Sequence, residues 1–532
     1  MNRLFRPLFA AIISLAMLSI PAFAVLEIPN AQPKVGAKQW KQVLDSTWAG
    51  LVKRNIDDCV GKSIYNGHPN SRGLICRPKS ETPWDAVSEG IGYGMLLALY
   101  ADDQPRFNQI YKAGKEFGLN YCQGWRKPAN GGGTESGSAT DADEDIAIAL
   151  VFADKLAKKG LWSTPSDINY ANDAQSAISC VWGSMQGGKL CPGNAWCPGY
   201  NVGYFAPAWY RVFKNYTTNS SQNWQLAIDE SYKLIAHSNN TGYSKGMVPD
   251  WSSDQGVPGG GGYNTYRSGQ AFFKDAIRVL WRVANDAIWF NEPRAKTFLT
   301  NSLDFIKSKG GPDAANFYDL NGNLVPADDK WAEFNDQNNS STWRYRREHS
   351  HLTVGQWLIP AMAVGSDEDK IAWSSKMAEF YDWENKVNFF GNATDPNPGG
   401  IEDTMHNEMY FDQFLAWFGV SLMSGTWVNI IELLDNPVKN TEGITTQPYP
   451  EPEPPIDPDP IIIKGTQFGI LISQSGGTLR LSSKNDVSWK IHNLQGKLLF
   501  SSNSKETSWN AGNFKGTVIV SANSERKLVA VR

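Results

Sequence analysis

Three acidic sites in the 532-residue chain could do acid–base chemistry, and the first is Glu89. Glu89 precedes residues 91–100, a segment that is apolar on nearly every side and should therefore form a buried helix. A carboxyl group at the entrance to such a helix costs free energy unless it is paired or keeps its proton through a raised pKa. A carboxyl that stays protonated near neutral pH is what a general acid requires. The alternative is a structural role in the first helical turn, where Glu is common.

The second site is an acidic sequence that opens another apolar helix, predicted at residues 143–158. Its acids are Asp141, Asp143, Glu144 and Asp145. Their spacing resembles the start of a calcium-binding EF-hand loop. However, Ile146 replaces the required Gly and Phe152 replaces the bidentate Glu, so we reject that site.

A structural explanation of the acidic cluster is that Thr140 or Asp141 caps the helix, with acids favoured in its first turn. That explains why an acid follows the cap. It does not explain why acids stand at both Asp141 and Asp143.

The third site is Asp275, with Arg278 one turn later on the same predicted helix face. A structural ion pair between the two side chains is the simplest interpretation. Two separated carboxylates, however, also suit the hydrolysis of glycosidic bonds, in which one acid protonates the leaving oxygen and the other activates water or attacks the sugar. Ser/His/Asp catalysis fits poorly, because the chain has no GxSxG sequence.

The elements that must position these residues are mostly helices. About a dozen are predicted between residues 35 and 427, one of them at 202–213, with no regular strand pattern between them. Many helices without a short sequence repeat favour a closed ring of helical hairpins over a solenoid. The long Gly-, Asn- and Trp-rich connections at 122–138 and 238–267 should carry function.

Composition narrows the class of ligand. A net charge of −4 with 20% charged residues gives no indication of a nucleic-acid partner. The chain contains 21 Trp, 19 Tyr and 24 Phe residues, and flat aromatic faces with polar tips suit ligands that are part apolar and part hydroxylated, such as sugars. No metal or other cofactor is implied, because no Cys/His spacing fits a zinc site.

Residues 1–24 have the basic start, apolar centre and Ala-Phe-Ala ending of a secretory signal, and no later stretch is long enough to span a membrane. We therefore expect a secreted or cell-surface bacterial protein. The six cysteines fit an oxidising compartment. Cys59–Cys76 is a plausible local bridge, as is a pair within Cys180, Cys191 and Cys197, but sequence cannot choose among the pairings.

Composition also predicts the domain boundaries. Residues 25–445 should form the helical domain, and 446–463 a Pro-rich, acidic linker that is extended and semi-rigid. Residues 464–532 alternate short apolar segments with turns, which is typical of a small all-β sandwich. Its aromatics could form a carbohydrate-binding face, but in so small a domain they are more often core, so we favour a sorting or anchoring role.

At the acidic sites, the chain resembles glycoside hydrolase family 8. Residues 139–153, ATDADEDIAIALVFA, match its signature helix nearly throughout. SEGIGYGMLLALYADD at 88–103 resembles the segment that carries the general acid, and KDAIRVLWRVANDAIWF at 274–290 resembles the one that carries the general base. These and further matches fall in family order between residues 35 and 427. The C-terminal domain more weakly resembles the sorting tails of secreted bacterial proteins.

The family resemblance implies an all-α (α/α)6 barrel, an acidic cleft and hydrolysis with inversion. Glu89 would be the proton donor and Asp275 the base that holds water, their carboxyls about 6.5–9.5 Å apart. Asp141 would grip the distorted sugar. The expected substrate contacts are Trp84, Tyr93, Trp125, Tyr204, Trp251 and Arg278, whereas Trp209, on a predicted helix, should belong to the core.

The ATDAD form of the signature favours β-1,4-glucan, in cellulose or mixed-linkage glucan, as the substrate. The alternative within the family is a xylan-degrading enzyme, and chitosan is disfavoured. Segments 342–359 and 383–402 look more elaborate than the family pattern and should reshape the cleft. The expected partners are a plant cell-wall polysaccharide and, through the C-terminal domain, secretion machinery or the cell surface, and we expect a monomer.

Two other classes of protein fit the sequence less well than a hydrolase does. A non-catalytic polysaccharide-binding protein would not need Glu89, Asp141 and Asp275 together. A polysaccharide lyase would need a Tyr/His or Lys base, for which the sequence shows no motif.

Overall fold

A computed structural model describes residues 35–77, 84–194, 196–259, 271–272, 274–315, 317–324, 350–381, 389–391, 410–435, 471–475, 478–493, 497–512, 516–523 and 525–531. The chain divides into two compact units, Met1–Pro448 and Tyr449–Arg532. The predicted signal, the linker, residues 342–349 and all of segment 383–402 except 389–391 lie outside the described residues. Among the described residues, no helix has the length and apolarity needed to cross a membrane.

The first unit is helical. Its helices are α1 (Ala37–Leu51), α2 (Ser88–Tyr100), α3 (Gln104–Phe117), α4 (Thr140–Lys158), α5 (Tyr170–Gly183), α6 (Pro207–Tyr216), α7 (Trp224–Ile235), α8 (Lys274–Phe290), α9 (Pro293–Ser308), α10 (His351–Val364), α11 (Asp367–Ala378), α12 (Tyr410–Met423) and α13 (Ile430–Asp435). Between them lie three pairs of two-residue antiparallel strands: β1 (Ala86–Val87) with β2 (Arg126–Lys127), β3 (Met185–Gln186) with β4 (Lys189–Leu190), and β5 (Ala271–Phe272) with β6 (Tyr318–Asp319).

The even-numbered helices from α2 to α12 form a closed inner ring. Each packs against the next, and α12 returns to α2, where the Tyr93 ring lies 5.7 Å from that of Phe414 and 5.0 Å from that of Phe418. Each of the inner helices from α2 to α10 packs against the odd-numbered helix that follows it in the chain, and α12 packs against α1, so that the unit is built from six helix pairs. This arrangement is consistent with the predicted (α/α)6 barrel.

Inner helices are buried on most sides, which is why α2, α10 and α12 are apolar nearly all round. Glycine lets two of them cross closely. A Cβ at Gly355 of α10 would lie 2.9 Å from Ala416 Cα, and one at Gly419 of α12 would lie 1.9 Å from the carbonyl oxygen of Gly355. Because these two glycines have no side chain, α10 and α12 can lie this close together.

The helix predicted at 202–213 is wrong in its first part. Val202–Tyr204 is a single 3-10 turn, and α6 begins only at Pro207, the first residue of the helix. A proline cannot continue a preceding helix, and its fixed φ suits the first helical position. The turn places Tyr204 apart from α6, against the start of α8.

All six cysteines are paired, as Cys59–Cys76, Cys122–Cys180 and Cys191–Cys197. The first pair confirms the predicted local bridge, and the third is the expected pair within the later group. Cys122–Cys180 joins the loop before α4 to the end of α5. No sequence signal singled out that long-range pair.

The second unit is a small all-β domain, as predicted. Its strands are β7 (Leu471–Ser475), β8 (Thr478–Asn493), β9 (Leu498–Asn510), β10 (Gly516–Ala522) and β11 (Glu525–Val531). They form one antiparallel sheet in the order β11-β10-β8-β7, with β9 on the other edge of β8. The described strands thus make a single hydrogen-bonded sheet, whereas a sandwich would have two separate sheets.

The aromatic residues of this small domain contribute to its core. Trp489 is fully buried, and Phe500 and Trp509 pack against the same apolar cluster. Phe514, another aromatic residue of this domain that could have formed part of a sugar-binding face, lies outside the described residues. This packing favours the core interpretation over a sugar-binding face.

Gly92 gives a test of the packing between α2 and α4. A Cβ at this position would lie 2.9 Å from Asp145 Cβ and 3.2 Å from the carbonyl oxygen of Ala142. We expect Gly92→Ala to lower the free energy of unfolding by about 1–3 kcal/mol through overpacking. The measurement is the thermal midpoint of the helical circular-dichroism signal.

Gly183→Ala is the matched control, because a Cβ there meets no atom within 4 Å and Gly183 ends a helix. It should leave the midpoint unchanged or raise it slightly. Equal midpoints for Gly92→Ala and the native protein would contradict the close α2–α4 contact.

Candidate active site

The three predicted carboxylates occupy equivalent places in the ring. Glu89 is the second residue of α2, Asp141 the second of α4 and Asp275 the second of α8. The N-terminal ends of these inner helices lie together, so residues far apart in sequence meet at one end of the barrel. Partial positive charge at each helix start also favours an acidic side chain there.

Arg278, one turn into α8, joins the three carboxylates. Its Nη1 donates to Glu89 Oε2 at 2.8 Å and to Asp141 Oδ2 at 2.8 Å, while Nη2 donates to Asp275 Oδ1 at 3.1 Å. The Arg278 side chain is only 1% exposed. The predicted Asp275–Arg278 ion pair is therefore present, but it is one part of a four-residue cluster in which negative charges outnumber positive ones.

The cluster determines the protonation of Glu89. Burial raises the pKa of Glu89 to about 8, opposed by Arg278 and assisted by the negative charges of Asp141 and Asp275. The Tyr410 hydroxyl beside it favours the ionised form. Glu89 thus holds its proton at neutral pH, and with 17% of its side chain exposed it can still reach a ligand. It does not cap α2 with its side chain.

The other two carboxylates differ in access. Asp275 is 30% exposed, so water can approach it. Asp141 is almost completely buried, and its Oδ1 has no hydrogen-bond partner among the described residues. A buried acceptor without a partner is costly, so Asp141 Oδ1 is ready to accept a hydrogen bond from a bound hydroxyl.

Neighbouring groups fix Arg278 and the start of α8. The guanidinium lies over the Tyr204 ring at 4.8 Å and over the Phe411 ring at 5.6 Å. Asp250, in the long loop before α8, is 1% exposed and accepts a hydrogen bond from the backbone N–H of Ala276 at 2.7 Å. The expectation that this loop carries function is consistent with this contact, although Asp250 was not among the predicted site residues.

A second buried cluster lies one turn deeper and was missed by sequence reasoning. Asp145 and Arg282 each lie four residues beyond Asp141 and Arg278, and Arg282 binds both carboxylate oxygens of Asp145. Trp209 Nε1 also donates to Asp145, at 2.9 Å. The i, i+4 repetition of an acid on one helix and an arginine on the other was a signal available in the sequence.

Glu144 joins this deeper cluster as a neutral group. Its side chain is fully buried, with Arg282 Nη1 3.5 Å from Oε1 and the Tyr210 hydroxyl 3.1 Å from Oε2. Burial raises the pKa of Glu144 well above its usual range, whereas the bidentate Arg282 limits the rise for Asp145. The single arginine charge is therefore balanced by Asp145, and burial favours the protonated form of Glu144.

The predicted N-cap is wrong, because α4 begins at Thr140 without a side-chain cap and each acid has a tertiary partner. Asp143 accepts a hydrogen bond from the backbone N–H of Cys122 at 3.2 Å. Burial raises the pKa of Asp143 to about 7, with Asp141 adding to the rise and hydrogen bonds from Ser138 and Cys122 opposing it. These contacts explain why acids stand at both Asp141 and Asp143, which helix capping alone did not explain.

The predicted substrate-contacting residues divide into two groups. Tyr204 and Arg278 lie at the carboxylate cluster, as expected. Tyr93 also reaches it, but its ring is 0% exposed and its hydroxyl lies 3.3 Å from Arg278 Nη1. Its hydroxyl thus supports Arg278, and its buried ring has no free face for stacking; its role as a substrate contact stays a prediction.

The three predicted stacking tryptophans, Trp84, Trp125 and Trp251, are half-buried. The backbone of Trp125 is fixed to the start of α2, since its carbonyl oxygen accepts a hydrogen bond from Ser88 N–H at 2.9 Å. Trp84 has φ 64°, a left-handed conformation that is strained for an aromatic residue. Trp209 is 1% exposed, which confirms its assignment to the core.

No group of three His, Cys, Asp or Glu side chains suited to a metal ion occurs in the part of the chain that the structure describes. The centre of the carboxylate cluster is instead a guanidinium. A carboxyl with a raised pKa and a second, water-accessible carboxyl are the kind of pair that hydrolysis of a glycosidic bond requires.

Comparison with known proteins gives the family. The model of glycosyl hydrolases family 8 matches residues 66–315. Endoglucanase 2 of Ruminiclostridium josui is 38% identical over 327 residues, covering 59% of this chain and 68% of that protein. Endoglucanase C of Ruminiclostridium cellulolyticum is 33% identical over 331 residues, covering 59% and 68%. The chain belongs to glycoside hydrolase family 8 and is a glycoside hydrolase.

A solved structure gives the same fold. The apo structure of the beta-1,3-1,4-glucanase from Paenibacillus sp. X4 aligns with a TM-score of 0.57 at 18% identity, covering 75% of this chain and 97% of that one. At this identity, the likeness concerns the fold alone.

The deeper cluster yields a pair of matched substitutions. Asp145→Asn leaves the buried Arg282 charge without its partner and should lower the free energy of unfolding by about 3–5 kcal/mol. Glu144→Gln removes a carboxyl that already holds its proton and should cost about 1 kcal/mol or less. Thermal and denaturant unfolding at neutral pH compare the two variants. Equal losses would show that Glu144 is ionised and would contradict the charge assignment.

Proposed function

We propose that the protein is a secreted, endo-acting glycoside hydrolase that cleaves β-1,4-glucan, in cellulose or mixed-linkage glucan, with inversion at the anomeric carbon. The observation that carries the proposal is one buried guanidinium that holds Asp141, Asp275 and a proton-bearing Glu89 at one end of the barrel. Inversion is a family trait.

Glu89 is the general acid in this proposal. Its pKa of about 8 keeps it protonated at neutral pH, so it can donate a proton to the glycosidic oxygen as the bond to the leaving sugar breaks. After the transfer, Arg278 Nη1 stabilises the new carboxylate at 2.8 Å. The site therefore resists ionisation of Glu89 before the reaction and accommodates it afterwards.

Asp275 is the general base. It contacts a different nitrogen of Arg278 from the one that Glu89 contacts, and its partial exposure admits the attacking water. Inversion requires that water to stand between Asp275 and the sugar, on the face opposite Glu89. The expected separation of about 6.5–9.5 Å between the two carboxyls stays a prediction.

Asp141 holds the sugar at the point of cleavage. Its Oδ2 is fixed by Arg278, and its Oδ1 faces no protein donor among the described residues. A sugar hydroxyl that donates to Oδ1 would satisfy the orphaned acceptor. A hydrogen bond that strengthens as the ring distorts would lower the barrier to reaction.

Glucan is favoured over xylan by the endoglucanase relatives and by the ATDAD signature. An endo-acting enzyme must admit a polymer along an open cleft, which fits half-buried Trp84, Trp125 and Trp251 as stacking surfaces. Three disulfides support export to an oxidising compartment. A sorting or anchoring role for the C-terminal domain stays part of the proposal.

The direct test is release of reducing ends from carboxymethyl-cellulose, mixed-linkage β-glucan, xylan and chitosan. We expect activity on the two glucans with a rapid fall in viscosity, as endo cleavage requires. Glu89→Gln should lower kcat about 10²–10⁴-fold, the contribution typical of general acid catalysis. Glu368→Gln, an exposed Glu on α11, is the control and should be fully active. Activity on xylan alone would contradict the substrate, and full activity of Glu89→Gln would contradict the mechanism.

The pH dependence follows from the raised pKa of Glu89. The acid is competent only while protonated, so kcat/KM should be maintained from neutral pH up to about pH 8 and fall tenfold per pH unit above it. The profile is measured on soluble glucan, with circular dichroism confirming that the protein stays folded. A fall beginning near pH 4.5, the ordinary value for Glu, would contradict the assignment.

A further inference from the structure

A cavity of about 540 Å³ lies at the end of the barrel opposite the carboxylates. It is formed where α4, α6 and α8 end and where α13 packs against them, with Lys155, Tyr216, Phe290 and Glu432 among its lining residues. Its volume lies in the range of about 300–1,000 Å³ that small-molecule sites occupy. None of the residues assigned to catalysis borders it.

The cavity is separate from the active site. Asp141 and Lys155 stand at opposite ends of α4, and Asp275 and Trp289 stand at opposite ends of α8. Fourteen residues of helix separate the members of each pair, which corresponds to about 21 Å along the axis. A sugar bound at the carboxylates therefore cannot fill this cavity.

The apolar part of the lining is held rigidly. Tyr216 is half-buried, its hydroxyl is 2.7 Å from Asp154 Oδ2, and Lys155 Nζ stands 5.8 Å from its ring centre. Trp289, only 8% exposed, is stacked on Trp209 at 5.4 Å, and half-buried Phe290 follows it in the chain. The accessible parts of Tyr216 and Phe290 are thus fixed aromatic surfaces, which contact the C–H groups of a sugar at little cost in conformational entropy.

The polar part of the lining offers both donors and acceptors. Asn215 and Glu432 are exposed, and neither side chain has a hydrogen-bond partner among the described residues. Asn429 uses its Oδ1 to accept from the N–H groups of Ile431 and Glu432, which leaves its amide nitrogen directed away from that contact. Hydroxyl groups, which both donate and accept, match this set.

Charge decides against an ionic ligand. Lys155 and Glu432 supply one charge of each sign, and Asp435 is paired with Lys159 at 3.2 Å. The local charges thus cancel, so neither an anion nor a cation gains from long-range attraction. A neutral, polyhydroxylated ligand with apolar faces fits the lining best.

We propose that this cavity is a second glycan-binding site, which holds a neutral β-glucan chain while the carboxylates act on another segment or another chain. The identification of the ligand as a glucan rests on the proposed function, whereas the evidence for the binding site itself does not. Two attachment points would retain the enzyme on an insoluble polymer without changing its chemistry on a short soluble one.

The test compares two proteins whose turnover is too slow to degrade the polymer during a binding measurement. Glu89→Gln is the parent, and the second protein adds Asn215→Ala and Glu432→Ala. The second protein should be retained on insoluble cellulose with an affinity about tenfold lower, the loss expected for two hydrogen bonds. A control that adds Lys214→Ala and Glu368→Ala, two exposed positions outside the cavity lining, should bind like the parent.

In the active background, Asn215→Ala with Glu432→Ala should leave kcat/KM on soluble cello-oligosaccharides unchanged. Equal retention of parent and variant, or no retention of the parent, would overturn the second site. Retention is measured without hydrolysis, so it decides the cavity even if the native protein cleaves none of the four polymers. That last result would contradict the proposed function instead.

Discussion

The active end of the barrel depends on the Arg278 guanidinium, which is almost completely removed from water and bound to three carboxylates. Burying one cation is costly, and it is tolerated only with well-placed partners. Three carboxylates more than balance it, and the excess negative charge, together with burial, makes Glu89 keep its proton. The same ion therefore holds the proposed acid and base together at one end of the barrel, while burial keeps the Glu89 pKa raised against its attraction.

The rest of the first unit can be understood as support for that ion. Tyr204, Phe411 and the Tyr93 hydroxyl hold the guanidinium laterally, and Asp250 fixes the backbone at the start of α8. One turn deeper, the Asp145–Arg282 pair holds α4 against α8. Asp141 and Arg278 stand on the same two helices. The Asp145–Arg282 pair therefore also fixes the position of Asp141 relative to Arg278. Closed packing of the ring, with glycines where helices cross, leaves these side chains little freedom to move.

The sequence could predict those features of the site whose cause lies within one short segment of the chain. A carboxyl group at the start of an apolar helix identified Glu89. The three-residue spacing on one helix face identified the Asp275–Arg278 pair. The number of predicted helices, without a short sequence repeat, indicated a closed helical ring. For the two carboxyl sites the physical constraint lies within one segment of the chain.

The remainder depended on contacts between distant segments. Arg282 and Asp145 are 137 residues apart, and nothing in either segment alone specifies that they pair. Tyr93 has the residue type of a sugar contact, but ring closure between α2 and α12 buries it. A proline signal at Pro207 was available and would have shortened the predicted helix at 202–213. The single sheet of the second unit depends on the pairing of β8 along both its edges, which alternation alone does not determine.

The central claim is that the cluster around Arg278 keeps Glu89 protonated, and a direct measurement of that proton tests it. Carboxyl carbons of glutamate can be followed by NMR titration in protein labelled at Glu, with Glu89→Gln identifying the signal of Glu89 by its loss. The account predicts a titration midpoint near pH 8 for that signal. A midpoint near 4.5, the ordinary value for Glu, would show that Glu89 is ionised at neutral pH and would contradict the account.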